Sequence, residues 1–265
     1  MHRQLCGKPP VTALARLRKG HASFGTLQSL PTSIVTEIAV LSGYDFVILD
    51  CEHTVLDERS HVASLQVISG SDAFGVVRVR QQDFSAVGRY LDLGADGILL
   101  PDVQSASEAR EFVAAATLGP KGTRSSTGGS ARALRYGIGG KVPAARPLLL
   151  AMIEGAAAVA AIDEIAATPG LDGLVIGPND LAADLGTTDD FSTTEYAQAF
   201  RAVERAATRA GLILGTRAHR GYPVERLLKS GHRFILVDAD VAALREGYRS
   251  NLDAAKGAGA KLNSG

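Results

Sequence analysis

The chain has 265 residues, of which 46% are hydrophobic, 21% charged and 5% aromatic, and its 28 basic and 28 acidic side chains give a formal net charge of zero. This composition excludes a disordered chain, which has few apolar residues and a large net charge. It also lacks the basic excess of a nucleic-acid surface. No run approaches the ~18 apolar residues of a membrane helix, and the first residues, MHRQLCGKPPVTALARLRKG, lack the apolar core of a secretory signal. Two cysteines, Cys6 and Cys51, are too few for a disulfide framework and are expected to be free thiols in a reducing cytoplasm.

Along the chain, short runs of Val, Ile, Leu and Phe alternate with longer helical patterns. Strands are predicted at His21–Leu27, Asp45–Asp50, Ala73–Val79, Gly97–Leu100, Pro147–Ile153, Gly173–Ile176, Leu212–Thr216 and Phe234–Val237. Helices are predicted at Ser33–Ser42, Glu58–Ser69, Phe84–Leu93, Ser107–Thr117, Gly155–Ala167, Thr194–Ala210, Pro223–Ser230 and Val241–Ala255. Strands that are nearly continuously apolar imply a sheet covered on both faces, hence parallel. Eight such units in about 250 residues predict an α/β fold of the single-domain (β/α)8 TIM-barrel type. The alternative is an open doubly wound sheet, whose G-x-G-x-x-G fingerprint is absent. Residues 1–20 are expected to be an N-terminal extension, 21–255 the barrel and 256–265 a flexible tail.

One segment breaks the rhythm. Gly119–Lys141, GPKGTRSSTGGSARALRYGIGGK, is long and rich in Gly, Ser and Arg. It reads either as a surface or subunit-contact loop or as a lid carrying Arg124, Arg132 or Arg135 toward an anion.

In a barrel of this kind the active site lies at the C-terminal ends of the strands. The second predicted strand ends in Asp50-Cys51-Glu52-His53, the third near Arg78 and Arg80, and the fourth in Pro101-Asp102. The fifth ends in Met152-Ile153-Glu154, the sixth in Gly177-Pro178-Asn179-Asp180, the seventh near Arg217 and His219, and the eighth in Asp238 and Asp240. Glu154 and Asp180 follow neighbouring strands. Two hard oxygen ligands suit an open Mg²⁺ or Mn²⁺ site, too sparse to be structural but adequate for catalysis. The competing reading is that each caps the following helix. His53, among acidic neighbours, reads as a general base or as an ordinary surface histidine. Arg78 reads as an anion clamp or as an ion pair with Asp50 or Glu52. No lysine closes a predicted strand, which disfavours Schiff-base chemistry.

At these residues the sequence resembles the HpcH/HpaI family of metal-dependent 2-oxo-acid aldolases. The phrases GYDFVILDCEHT, VVRV, LDLGADGILLPDV, IEG and LDGLVIGPNDLAADLG carry the resemblance, and they span nearly the whole chain. The resemblance implies a (β/α)8 barrel, usually hexameric, with the last helix exchanged between partners. It implies Glu154 and Asp180 as metal ligands, with Mg²⁺, Mn²⁺ or Co²⁺ as cofactor. It further implies His53 as the base, Asp92 as the aspartate that raises the basicity of that histidine, and Arg78 as the stabiliser of the developing oxyanion. The turn containing Gly177, Asn179 and Asp180 would hold the substrate carboxylate through backbone groups. Met152 stands where the family often has Gln, and the chain has no Trp. The activity implied is cleavage or formation of a hydroxy-oxo acid, with pyruvate or a related 2-oxo acid as donor and an aldehyde or ketone as acceptor. Alternatives are a lyase or synthase for a citrate-like or CoA-linked acid, and a non-catalytic ligand-binding barrel.

Overall fold

The computed structural model describes residues 13–54, 58–127, 129–138, 146–188 and 190–263. A short helix α1 (Ala13–Arg18) precedes β1 (Ser23–Gln28), α2 (Ser33–Leu41), β2 (Phe46–Asp50), α3 (Glu58–Ser69), β3 (Phe74–Arg78), α4 (Phe84–Asp92), β4 (Gly97–Leu100) and α5 (Ala106–Ala116). After a 3-10 turn at Arg132–Gly137 come β5 (Leu148–Ile153), α6 (Ala156–Ala160), α7 (Ile162–Ala166), β6 (Gly173–Ile176) and α8 (Pro178–Asp184). The chain ends with α9 (Thr194–Ala210), β7 (Ile213–Arg217), α10 (Val224–Lys229), β8 (Phe234–Ala239) and α11 (Asp240–Asn263). The eight strands pair in sequence order and all in parallel, and β8 returns to β1 to close the barrel. The expected fold is therefore the observed one, and the open sheet is excluded. Among the described residues no helix is long and apolar enough to cross a membrane.

Strand periodicity sorts the side chains into two layers. Phe46, Ile48, Phe74, Val76, Leu99, Leu148, Leu150, Met152, Val175, Phe234 and Leu236 pack inside the barrel. Val47, Leu49, Val77, Ile98, Leu149, Ile153, Leu174, Ile176, Leu214 and Ile235 face the helices. Both layers are buried, which is why the strands read as continuous apolar runs. At the N-terminal end Phe46 stacks on Phe234 with ring centroids 3.9 Å apart. Gly25 makes room for this layer, since a Cβ there would lie 2.2 Å from the Phe46 ring.

Four differences from the sequence expectation have local causes. Helix α1 is more than an extension: Ala13 and Leu17 join the inner cluster and plug the bottom of the barrel. The helix predicted over Gly155–Ala167 breaks at Ala161, whose φ/ψ of −95°/12° leaves the helical region. A helix not predicted, α8, starts at Pro178, because proline at the first helical position sacrifices no hydrogen bond. Helix α11 runs on to Asn263, past the predicted end at Ala255. Cys6 and Lys141 lie outside the described residues; Cys51 is a free, buried thiol.

Candidate active site

The strand ends converge on one mouth. Asp50 and Arg78 are cross-strand partners in the β2–β3 register. Arg78 donates from Nε and Nη2 to the two Asp50 oxygens, both at 2.9 Å, while its Nη1 lies 3.1 Å from Glu52 Oε2. Burial works against the guanidinium charge, but Asp50, Glu52 and Glu154 outweigh it and raise the pKa of Arg78. The ion pair weighed from sequence thus forms with both acids. A guanidinium has five N–H groups, so two remain for a further anion.

Glu52 is the link that sequence reading undervalued. Its Oε2 also lies 3.5 Å from His53 Nε2. Burial raises the pKa of Glu52, with Arg78 and His53 opposing. His53 itself stands out on the rim with its side chain 68% exposed, where an incoming molecule can reach it.

Glu154 follows β5 and is only 8% exposed. It is not the cap of α6, whose N-cap is Gly155 with no side-chain bond. Instead its Oε2 accepts the backbone N–H of Asp102 at 2.9 Å. Asp102 has a left-handed φ of 46°, and its own carboxylate accepts from Gln81 and Gln104. Sequence reading named Asp102 at a strand end without a role; its amide is what fixes Glu154. Burial pushes the Glu154 carboxyl up to about 7, and Asp180 and Glu52 push the same way.

Asp180 lies in the first turn of α8, whose N-cap is Gly177 with no side-chain bond, so the capping alternative fails here too. The Gly177 amide is already bonded to Ile153 O at 3.1 Å. The free amides of this turn are therefore those of Asn179 and Asp180, which have no intrahelical acceptor. Met152 is buried in the inner layer below Glu154.

Asp92 does not join this group. It ends α4, just before β4, at the N-terminal end of the barrel, and pairs with Arg124. His53 follows the C-terminal end of β2. The two therefore lie at opposite ends of one chain's barrel. The Arg-rich segment is tied to the outer helices: Arg132 donates to Leu93 O, Leu65 O and Ser69 Oγ, and Arg124 to Asp92. Neither arginine faces the mouth as a lid would require.

Among the described residues no three His, Cys, Asp or Glu side chains are placed to share a metal ion. The pair Glu154 and Asp180 remains, with Glu52 engaged by Arg78. A buried carboxylate that resists ionisation beside a second carboxylate fits a divalent cation that keeps several positions for water or substrate.

Known proteins share this sequence and this fold. A sequence profile for "HpcH/HpaI aldolase/citrate lyase" matches residues 28–246. A hydroxypyruvate/pyruvate aldolase of Roseovarius nubinhibens is 34% identical over 247 residues, covering 92% of this chain and 96% of that one. A 5-keto-4-deoxy-D-glucarate aldolase of Klebsiella pneumoniae is 31% identical, covering 91% and 95%. The crystal structure of an HpcH/HpaI aldolase from Desulfitobacterium hafniense superposes with a TM-score of 0.84 at 30% identity, covering 93% and 97%. With the profile spanning most of the barrel and full-length relatives above 30% identity, this chain belongs to the HpcH/HpaI aldolase/citrate lyase family.

Proposed function

We propose that this chain is a cytoplasmic, class II, metal-dependent carbon–carbon lyase. It cleaves or forms a hydroxy-oxo acid, with pyruvate or a related 2-oxo acid as enolate donor and an aldehyde or ketone as acceptor. The observation that carries this reading is Glu154, a carboxyl pushed up to about 7 by burial beside Asp180 at the mouth. The aldolase names of the Roseovarius and Klebsiella relatives support it.

A divalent ion (Mg²⁺, Mn²⁺ or Co²⁺) held by Glu154 and Asp180 would draw electrons from the donor carbonyl and ease cleavage of the neighbouring bond. The amides of Asn179 and Asp180, at the positive end of α8, hold the donor carboxylate. Met152 lines the floor beneath it. Arg78, anchored by Asp50, turns its two unengaged N–H groups to the developing oxyanion. His53 moves the proton of the aldol hydroxyl, directly or through water, with Glu52 beside it.

Asp92 can serve as the partner of a histidine base only if it meets His53 of another copy, because one barrel holds them at opposite ends. We therefore read the protein as a homo-oligomer, with a hexamer implied by the resemblance.

Exchange of the methyl protons of pyruvate in D₂O tests the reading. Exchange is expected with Mg²⁺, Mn²⁺ or Co²⁺ and is expected to stop in EDTA. Undiminished exchange in EDTA contradicts the metal, and no exchange under any metal overturns the lyase.

A further inference from the structure

The corner that carries Glu52 and His53 is held from behind. Along β2, Val47 and Leu49 face the helices while Phe46 and Ile48 face the barrel interior. The same alternation turns Asp50 and Glu52 toward the mouth and Cys51 away from it. Cys51 accordingly joins the outer cluster. Its thiol is no part of the mouth, although its chain neighbours on both sides are.

In the helix layer Cys51 meets two helices through one imidazole. Its Sγ lies 3.6 Å from Nε2 of His61 on α3. Nδ1 of that ring lies 3.3 Å from the hydroxyl of Tyr90 on α4. The two rings meet edge to face, with centroids 5.3 Å apart and planes at 87°. All three side chains are buried. Burial pushes the Cys51 thiol up to about 11 and raises Tyr90 as well, so both keep their protons at neutral pH. A neutral imidazole donates from one nitrogen and accepts at the other, so His61 can join thiol and phenol in one line in either tautomer. Buried polar groups in an apolar layer cost free energy unless they are hydrogen-bonded, and this line satisfies that need for each member.

The turn beyond β2 needs such an anchor. Glu52 N–H donates to Asp50 Oδ1 at 3.0 Å, and Thr54 Oγ1 donates to Asp50 O at 2.7 Å. These bonds are internal and fix the shape of the turn. Its placement comes from elsewhere. Cys51 N–H donates to Arg78 O at 2.9 Å, and Cys51 O accepts from Arg80 Nε at 3.3 Å, which ties the turn to β3 and the residues after it. Cys51 Sγ ties it to α3 and α4, which are themselves joined by the Arg89–Glu58 ion pair.

We propose that His61 and Tyr90 are positioning residues, which through Cys51 set where Glu52 and His53 stand relative to the reacting atoms. This rests on the aldolase reading, in which His53 moves the proton of the aldol hydroxyl. Both side chains lie in the helix layer, so their effect on the mouth passes through Cys51.

The test follows cleavage of 4-hydroxy-2-oxopentanoate to pyruvate and acetaldehyde. Tyr90→Phe keeps the ring and removes only the hydroxyl. Its kcat is expected to fall about 5–10-fold, the worth of one lost hydrogen bond, with KM little changed. In a His53→Ala background the same substitution should cost less than about twofold, because the group it helps to position is already gone. A fall by the same factor in both backgrounds means a general structural role and overturns the proposal. A second pair of variants covers the case in which Tyr90→Phe folds poorly. His61→Gln keeps a donor and an acceptor, and His61→Leu keeps neither, so the glutamine variant should have the higher kcat. The reverse order, which a packing role gives in an apolar layer, also overturns the proposal. Cleavage at the wild-type rate by Tyr90→Phe defeats the positioning role and leaves the lyase standing. A wild type that exchanges no pyruvate methyl protons under any metal defeats both.

Discussion

Gly177 lies flat against the Glu154 carboxylate: a methyl group on its Cα would stand 2.4 Å from Oε1 and 2.6 Å from Cγ. With Asp102 holding the other oxygen, the carboxylate is fixed between a strand-end amide and a glycine. Gly177→Ala is expected to displace Glu154 while leaving the barrel folded. A shift of about 1 Å in a reacting constellation costs on the order of 10²-fold, so aldol cleavage should fall by about that much with little change in melting temperature. Wild-type cleavage by Gly177→Ala would mean that the position of Glu154 is unimportant.

His53→Ala should reduce aldol cleavage by about 10²-fold or more, the usual worth of a positioned acid–base group. The side chain is exposed on the rim beside Glu52, so its removal should leave stability unchanged. Cleavage at the wild-type rate would remove His53 from the mechanism.

The barrel was legible in the sequence because its strands are buried on both faces and so read as apolar runs. Two of them, Gly97–Leu100 and Gly173–Ile176, begin and end where predicted. Strand-end position also pointed to Glu154, Asp180, Arg78 and His53 as one group. What stayed hidden depends on backbone direction or on contacts distant in sequence. The amide of Asp102 reaches Glu154 only because its φ is left-handed. Glu52 bridges Arg78 and His53 by a side-chain geometry that no spacing encodes. Arg217 stood at a predicted strand end, but nothing in sequence showed that it would donate to Asn179. Helix α8 escaped because GPNDLAAD is short and opens like a turn.

Asp92 and His53 cannot meet within one chain, so their cooperation is testable by complementation. His53→Ala and Asp92→Asn should each be impaired. Co-expressed as mixed oligomers, they should recover activity that neither has alone, since some sites then pair an intact His53 with an intact Asp92. A mixture no more active than its components excludes Asp92 as a partner of the base.

Two apolar stripes stand exposed on neighbouring elements of the barrel. On α2, Ile34, Ile38 and Leu41 are 63%, 60% and 80% exposed. On α11, which packs against β1 and β8, Val241, Leu244, Tyr248 and Leu252 are exposed at helical spacing. Stripes of this kind are covered in assemblies. If α11 is exchanged between copies, Ile38→Glu and Tyr248→Glu should each lower the mass found by light scattering. An unchanged mass in both variants places the contact elsewhere.

His232 is fully buried, with Nδ1 3.8 Å from Glu204 and 3.1 Å from Ser230 Oγ. The distance suggests an ion pair, but burial pushes the histidine down to about 4 and raises the Glu204 carboxyl, so burial opposes the charged form of each. A histidine whose pKa is lower in the folded state contributes stability that is complete above its unfolded value of about 6.5. That contribution is lost as pH falls toward 4, because the unfolded chain takes up a proton that the native state refuses. A tenfold change in proton affinity is worth about 1.4 kcal/mol, so His232 contributes on the order of 2–3 kcal/mol of acid sensitivity. The urea midpoint of the wild type should therefore fall between pH 7 and pH 4.5. His232→Gln should fall less over the same interval, even if it starts lower. Parallel declines for the two proteins would show that His232 is protonated in the native state.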